Sequence, residues 1–260
     1  MSDSARNSAS GSGLAALIQR RYRGGQHWGP KGAARGPRFL LWGVPISLLA
    51  IMVLTVAIEA VLTAGDHSVF FSSATRGFAY LLGAFHNSLL HGAREVFPGQ
   101  SVSMFVTYAF IHGGPVHLIV NMVALASFGM VIVQRIGQKR FLVAYLLCAI
   151  GGAAGFGLLS NSPAPMVGAS GALFGLVGIW VCWDYLDRRH YGDPLWVTLR
   201  ALAFLVLYNL VFFLLLHGSL AWETHLGGFV TGWLLAIYWG RRVLPESRRR
   251  RFGSEDRPDT

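Results

Sequence analysis

Charge is the scarcest commodity in this chain. Asp, Glu, Lys and Arg together make up 13% of its 260 residues, against roughly 25% in an ordinary soluble domain. So little charge cannot cover a globular surface, and a soluble monomer is excluded on that ground. Cysteine is nearly absent, at 2 residues, which rules out a disulfide scaffold. Cys148 and Cys182 lie in apolar runs, where a reduced, packed thiol is the default. The 32 glycines follow no three-residue period, so a collagen-like chain is excluded too.

Apolar residue runs are what the chain has instead: 53% of it is hydrophobic and its mean hydropathy is +0.47. Six stretches approach the ~20 residues that a spanning helix needs. They are Phe39 to Ile58 (continued by Glu59 to Ala64), Pro115 to Gln134, Phe141 to Leu159, Pro165 to Trp183, Ala201 to Leu216 and Thr224 to Gly240. The fifth is extended by Leu195 to Leu199 if Arg200 snorkels. Soluble cores rarely supply six such runs, so the sequence predicts an all-α polytopic membrane protein with a six-transmembrane-helix bundle.

The basic residues fix its orientation. Of 22 Lys and Arg, only Arg76 and Arg94 fall on one side of a six-span chain. The positive-inside rule then puts both termini in the cytoplasm. The net charge of +10 thus reflects topology and the lipid bilayer, and no nucleic-acid partner is expected. Three segments are expected: a disordered basic stretch at 1–38, a spanning domain at 39–240 and a basic cytoplasmic tail at 241–260. Span one is read as an uncleaved anchor, not a signal peptide. The connection from Gly65 to Gly114 is too apolar for a free loop. An amphipathic helix is expected over Phe78–Leu90, and Met104–Ile111 is expected near the membrane interface.

Polar groups inside spans are expensive and need a reason. Spans two, four and six all enter from the non-cytoplasmic side, called the outer face below. His117 and Asn121 lie in the first two turns of span two, Ser170 at the start of span four and His225 in the first turn of span six. At 1.5 Å per residue, all four sit within ~10 Å of the outer ends of their helices. Gly171 and Gly175 on span four, and Gly228 and Gly232 on span six, are each four apart. Such small-residue faces let membrane helices approach closely, which would bring Ser170 to His225. An imidazole can take the proton of a serine hydroxyl and make it a nucleophile. No Asp or Glu lies at that depth in these three spans apart from Glu223 at the edge, so a dyad is expected and not a triad. His117, Asn121 and the Ser170 N–H could supply donors to a developing oxyanion.

These residues carry a resemblance. His112-Gly-Gly-Pro-Val-His117-Leu-Ile-Val-Asn121 resembles the H-x4-H-x3-N motif of rhomboid intramembrane serine proteases. Gly168-Ala169-Ser170-Gly171 is similar to their G-x-S-G motif, and His225-Leu-Gly-Gly228-Phe-Val-Thr-Gly232 to their H-x2-G-x3-G helix. The resemblance covers about residues 39–240. It implies Ser170 as nucleophile and His225 as general base, with His117 and Asn121 stabilising the oxyanion. His112 would order the outer loop. Phe174 stands where the family usually has a Tyr packed on the catalytic imidazole. Many members carry Trp-Arg some nine residues before the first motif histidine; here Ser103-Met104 stand there. The residue before the catalytic His is often Ala, and here it is Thr224.

The resemblance implies a bacterial-type member in a bacterial inner membrane, with single-pass membrane proteins as substrates and no cofactor or metal. Other classes fit less well. An inactive rhomboid-like binder would have no use for the intact chemical positions. A transporter would want charged groups near the midplane and broken helices there. A haem protein ligated by His117 and His225 would leave Ser170, Asn121 and the glycines unused. Taken singly, Ser170, His225 and Asn121 are each better read as helix-packing residues; together, at one depth, they are not. Glu59 is expected near the outer end of span one, where it can reach water. The connection His217–Glu223 is expected to gate the site.

Overall fold

The computed structural model describes residues 40–41, 44–68, 74–215 and 220–243. The expected disordered segment at 1–38 lies outside them, as do residues 244–260 of the tail and His217–Ser219 of the expected gate. After a two-residue hairpin pairing β1 (Leu40–Leu41) with β2 (Val44–Pro45), the described chain is helical. Six helices of 20 to 22 residues dominate: α1 (Ile46–Asp66), α5 (Pro115–Ile136), α6 (Gln138–Leu159), α7 (Ser170–Tyr191), α8 (Trp196–Leu215) and α9 (Trp222–Val243). Between α1 and α5 stand the short helices α2 (Thr75–Gly83), α3 (Asn87–Leu90) and α4 (Gln100–Thr107), then a 3-10 turn at Tyr108–Phe110.

Four of the long helices, α1, α5, α6 and α8, are long and apolar enough to cross a membrane by length and composition. The pattern on α5 shows what surrounds them. Val116, Ile119, Val120 and Val123 are exposed, while Leu118, Asn121, Met122, Leu125 and Gly129 are buried. Both sets recur at helical spacing, but the outward face is as apolar as the inward one. Water would not tolerate so large an apolar surface; lipid would. The protein is therefore a multi-pass integral membrane protein.

Helix ends follow local chemistry. Pro115 occupies the first position of α5, where its missing N–H costs nothing. A single residue, Gly137, joins α5 to α6 at φ 79°, a left-handed conformation that a side chain would strain. Arg200, on the first turns of α8, lies over the Trp196 ring at 4.9 Å, so its charge is drawn along the helix and not into the apolar face.

Three helices build the centre. Trp183, Leu176, Ile179 and Cys182 on α7 are buried together with Phe141, Ala144 and Cys148 on α6. Small residues let α6, α7 and α9 come almost to backbone contact. A Cβ on Gly228 would run into the Gly171 carbonyl, one on Gly232 into that of Gly175, and one on Gly227 into that of Gly151. The pairing of spans four and six is thus one side of a three-helix contact in which Gly151 and Gly155 of α6 form the other. The helix α8 stands apart: among its described residues only Thr198 is buried.

Four expectations are corrected. Span four does not begin at Pro165. Residues 165–169 are extended or turn, and Met166 pairs with Phe85 through two backbone hydrogen bonds of 3.0 Å. The same pairing breaks the expected helix over Phe78–Leu90 into α2 and α3, because Ala84 and Phe85 are fully buried in the core. Met104 and Tyr108 are likewise fully buried, so these side chains face the protein core and not lipid. Glu59 does not reach water. It is 2% exposed and receives a hydrogen bond of 2.8 Å from Arg76 Nη2 and one of 3.0 Å from Thr63 Oγ1.

Arg76 is the clamp at this end of the bundle, joining α1, α2 and the segment before α5. Its guanidinium also donates to Asp66 and, at 2.7 Å, to the His112 carbonyl. Tyr80 OH donates to the same carbonyl at 3.3 Å. Hydrogen bonding to Glu59, and then to Asp66, pushes the Arg76 pKa further up, so the charge is always present. Arg76→Leu leaves the Glu59 carboxylate buried with no cation beside it, only the Thr63 hydroxyl, and is expected to cost about 3–5 kcal/mol. Thermal unfolding in detergent should show a large drop in Tm, most of it recovered when Glu59→Leu is added.

Candidate active site

The site is assembled at the N-terminal ends of α5, α7 and α9. The segment before α7 is held from two sides: Gly168 N donates to the Tyr108 carbonyl at 3.0 Å, and Ala169 N to His112 Nε2 at 3.4 Å. Gly168 adopts φ +125°, and a Cβ there would strike the His117 ring, so no larger residue fits between that imidazole and the chain leading to Ser170. Ser170 is the first residue of α7. Its backbone N–H lies among the first-turn N–H groups that have no intrahelical acceptor.

Ser170 Oγ lies 2.9 Å from His225 Nε2. The imidazole is buried, and the Phe174 ring, one turn below Ser170, stacks on it with centroids 4.0 Å apart and planes inclined by 8°. On its far side His225 Nδ1 lies 2.6 Å from Asn209 Oδ1 on α8. Gly171 and Gly228 form the backbone contact that sets α7 against α9 beside this pair. Thr224, the departure noted before His225, is buried with its methyl against the positions a Cβ would take on Gly152 and Gly171. It fills the space between the three helices.

On α5, His117 is half-buried. Gly113 N donates to its Nδ1 at 3.2 Å, so the remaining ring proton belongs on Nε2, the atom that faces Gly168. Asn121 Nδ2 donates to the His117 carbonyl at 2.8 Å and keeps a second N–H. His112 is fully buried and meets His117 edge to face at 5.0 Å. All nine residues named from the sequence (Ser170, His225, His117, Asn121, His112, Phe174, Gly168, Gly171 and Gly228) therefore share one region. Two that it did not single out join them. Arg76 holds the His112 carbonyl, and Asn209 holds the imidazole. A signal for Asn209 was present: it is the one amide in the apolar run of span five.

The arrangement can activate a hydroxyl. A lone pair on His225 Nε2 is within reach of the Ser170 proton, and N–H donors from two helices stand nearby. Trp222 and Glu223, expected in a mobile connection, are the first residues of α9, with Trp222 exposed.

Comparison with known proteins accords with this geometry. Residues 99–242 match the Rhomboid domain. RHOMBOID-like protein 1 of Arabidopsis thaliana is 30% identical over 221 residues, which cover 76% of this chain and 54% of that protein. Rhomboid-like protease 3 of Toxoplasma gondii is 32% identical over 53% of this chain and 52% of its own. The mitochondrial Rhomboid protein 1 of Saccharomyces cerevisiae is 34% identical over 55% of this chain and 43% of its own. The chain thus spans about half the length of these relatives. Their plant, parasite and mitochondrial origins lend no support to the expected bacterial inner membrane. The domain match covers more than half of the sequence and takes in all nine site residues named from the sequence, so the chain belongs to the rhomboid family of intramembrane proteases.

Proposed function

We propose that the chain is a serine endopeptidase that cuts single-pass membrane segments near the outer face, with residues 39–240 as its protease domain and both termini in the cytoplasm. The observation that carries this reading is the 2.9 Å contact between Ser170 Oγ and His225 Nε2, on an imidazole clamped by Phe174. Ser170 Oγ attacks the scissile carbonyl as its proton passes to His225 Nε2. The oxyanion so formed accepts hydrogen bonds from the Ser170 backbone N–H, His117 Nε2–H and the second N–H of Asn121. The intermediate collapses to an acyl-enzyme as the imidazolium returns the proton to the leaving amine. A water molecule, deprotonated by His225, then releases the acyl group and regenerates Ser170.

Site depth sets the substrate class. Ser170 begins α7, so the bond to be cut must lie at the outer end of a spanning segment. A helix hides its carbonyls in hydrogen bonds, and Gly and Pro weaken it by about 1 and 3 kcal/mol. Substrates with such residues near their outer ends should be preferred. The test uses purified protein in proteoliposomes: a single-pass segment carrying Gly or Pro near its outer end is cleaved, and soluble peptides of the same sequence are cleaved much more slowly. Peptides that prove better than the spanning segment would overturn the substrate class.

Asn121→Ala is expected to lower kcat by roughly 10²–10³ and leave KM little changed. The amide would meet charge present only in the transition state. Unchanged kcat would return Asn121 to a helix-packing role, capping the His117 carbonyl.

A further inference from the structure

The third group at the site is an amide, on the least buried of the long helices. Two side chains with hydrogen bonds to other helices tie α8 to the rest. Near its inner end, Thr198 Oγ1 donates to Asp184 on α7 at 2.6 Å. Near its outer end, Asn209 meets His225. Asn209 is six residues, or ~9 Å along the axis, from Leu215, the last described residue of α8.

The direction of the bond follows from the amide's other contact. Asn209 Nδ2 donates to the Leu205 carbonyl at 2.9 Å, within its own helix. A carbonyl only accepts, so the NH₂ must face Leu205 and Oδ1 must face His225. Oδ1 only accepts in turn, so the ring proton belongs on His225 Nδ1. That leaves the lone pair on Nε2, aimed at Ser170 Oγ. A neutral imidazole with its proton on Nε2 could not take a proton from serine at all.

We propose that Asn209 is a positioning residue that holds His225 in the tautomer and ring plane required of a general base, and that it does so from α8, so the reactive pair is complete only while α8 is docked. This rests on the reading of Ser170 and His225 given above. A carbonyl acceptor on Nδ1–H can also stabilise the imidazolium that forms when Ser170 gives up its proton. The role is that of the carboxylate in Ser-His-Asp enzymes, filled by a neutral group that is less costly to bury in an apolar helix.

The test uses the full chain in detergent micelles and in proteoliposomes. The rate of Ser170 labelling by a fluorophosphonate is measured together with kcat and KM on a spanning substrate and with Tm. Asn209→Leu keeps the branched four-atom side-chain skeleton and removes the acceptor. Labelling rate and kcat should fall about 100-fold or more, with KM and Tm little changed. Asn209→Asp, which restores an acceptor, should bring labelling back to within about tenfold of wild type. Leucine at 209 with wild-type labelling and kcat overturns the proposal. So does a variant that changes only KM or Tm, or an Asp variant that restores nothing.

A second measurement reads the tautomer in the wild-type protein itself. The ¹⁵N shifts of His225 in the wild-type protein, assigned by loss of its signals in His225→Ala, should show a protonated Nδ1 and an imine-type Nε2. The opposite tautomer overturns the proposal. Wild-type protein that neither labels at Ser170 nor cleaves a spanning substrate overturns the underlying reading of the site instead, and the two failures are thereby distinct.

Discussion

Ser170→Ala is expected to abolish cleavage, with a loss of roughly 10⁴-fold or more, and to leave the fold intact. The substitution removes one oxygen from the first residue of α7, a position where Ala suits the helix. It touches neither the Gly171–Gly228 contact nor the Phe174–His225 stack. His225→Ala should cost as much in rate and somewhat more in stability, because it leaves Asn209 Oδ1 without its donor and Phe174 without its stacked ring. The double variant should be scarcely worse than either single one, since the two groups transfer one proton between them. Turnover of a spanning substrate, measured beside Tm for all three variants, checks this. Losses that multiply would mean that the two residues act separately.

The second large effect comes from a residue with no chemistry. Gly228→Leu is expected to inactivate the protein although every reactive group remains. Its Cβ would occupy the place of the Gly171 carbonyl, which is backbone and cannot turn aside. So α7 and α9 must separate. Ser170 precedes Gly171 by one residue and His225 precedes Gly228 by three, so separation opens the Ser170–His225 distance directly. A misplacement of ~1 Å can cost a hundredfold, and overpacking should take about 1–3 kcal/mol of stability as well. Gly171→Leu should behave alike. Gly77→Ala is the control: nothing lies within 4 Å of its added Cβ, and activity should be unchanged. A Gly228→Leu protein with normal turnover would refute the close-packed pair.

What could be read beforehand followed from local regularities. The spans are apolar runs, and the three motifs keep fixed spacings on helices whose direction the basic residues set. The site residues could therefore be brought to one depth before any coordinates. What could not be read depends on chain segments that meet only after folding. Glu59 is an acid in an apolar run, and nothing near it announces that Arg76 will fold back to cover it. Residues 165–169 are as apolar as a helix but are pinned as an extended segment by Phe85. Composition does not distinguish the two. Gly151 and Gly155 were lost among the small residues of α6, and only the approach of Thr231 and Gly227 gives them meaning. Asn209 is an amide where a third group beside a Ser–His pair is usually an acid, and α8 carries none of the three motifs.

The central claim is that His225 makes Ser170 a nucleophile. Its most direct test is covalent labelling by a serine-directed fluorophosphonate in detergent, with the modified peptide identified by mass spectrometry. The wild-type protein should carry one adduct, on Ser170. His225→Ala, folded by the criterion of an unchanged elution profile and near-wild-type helicity, should carry none. Labelling that persists in His225→Ala, or that falls on another serine, would contradict the account.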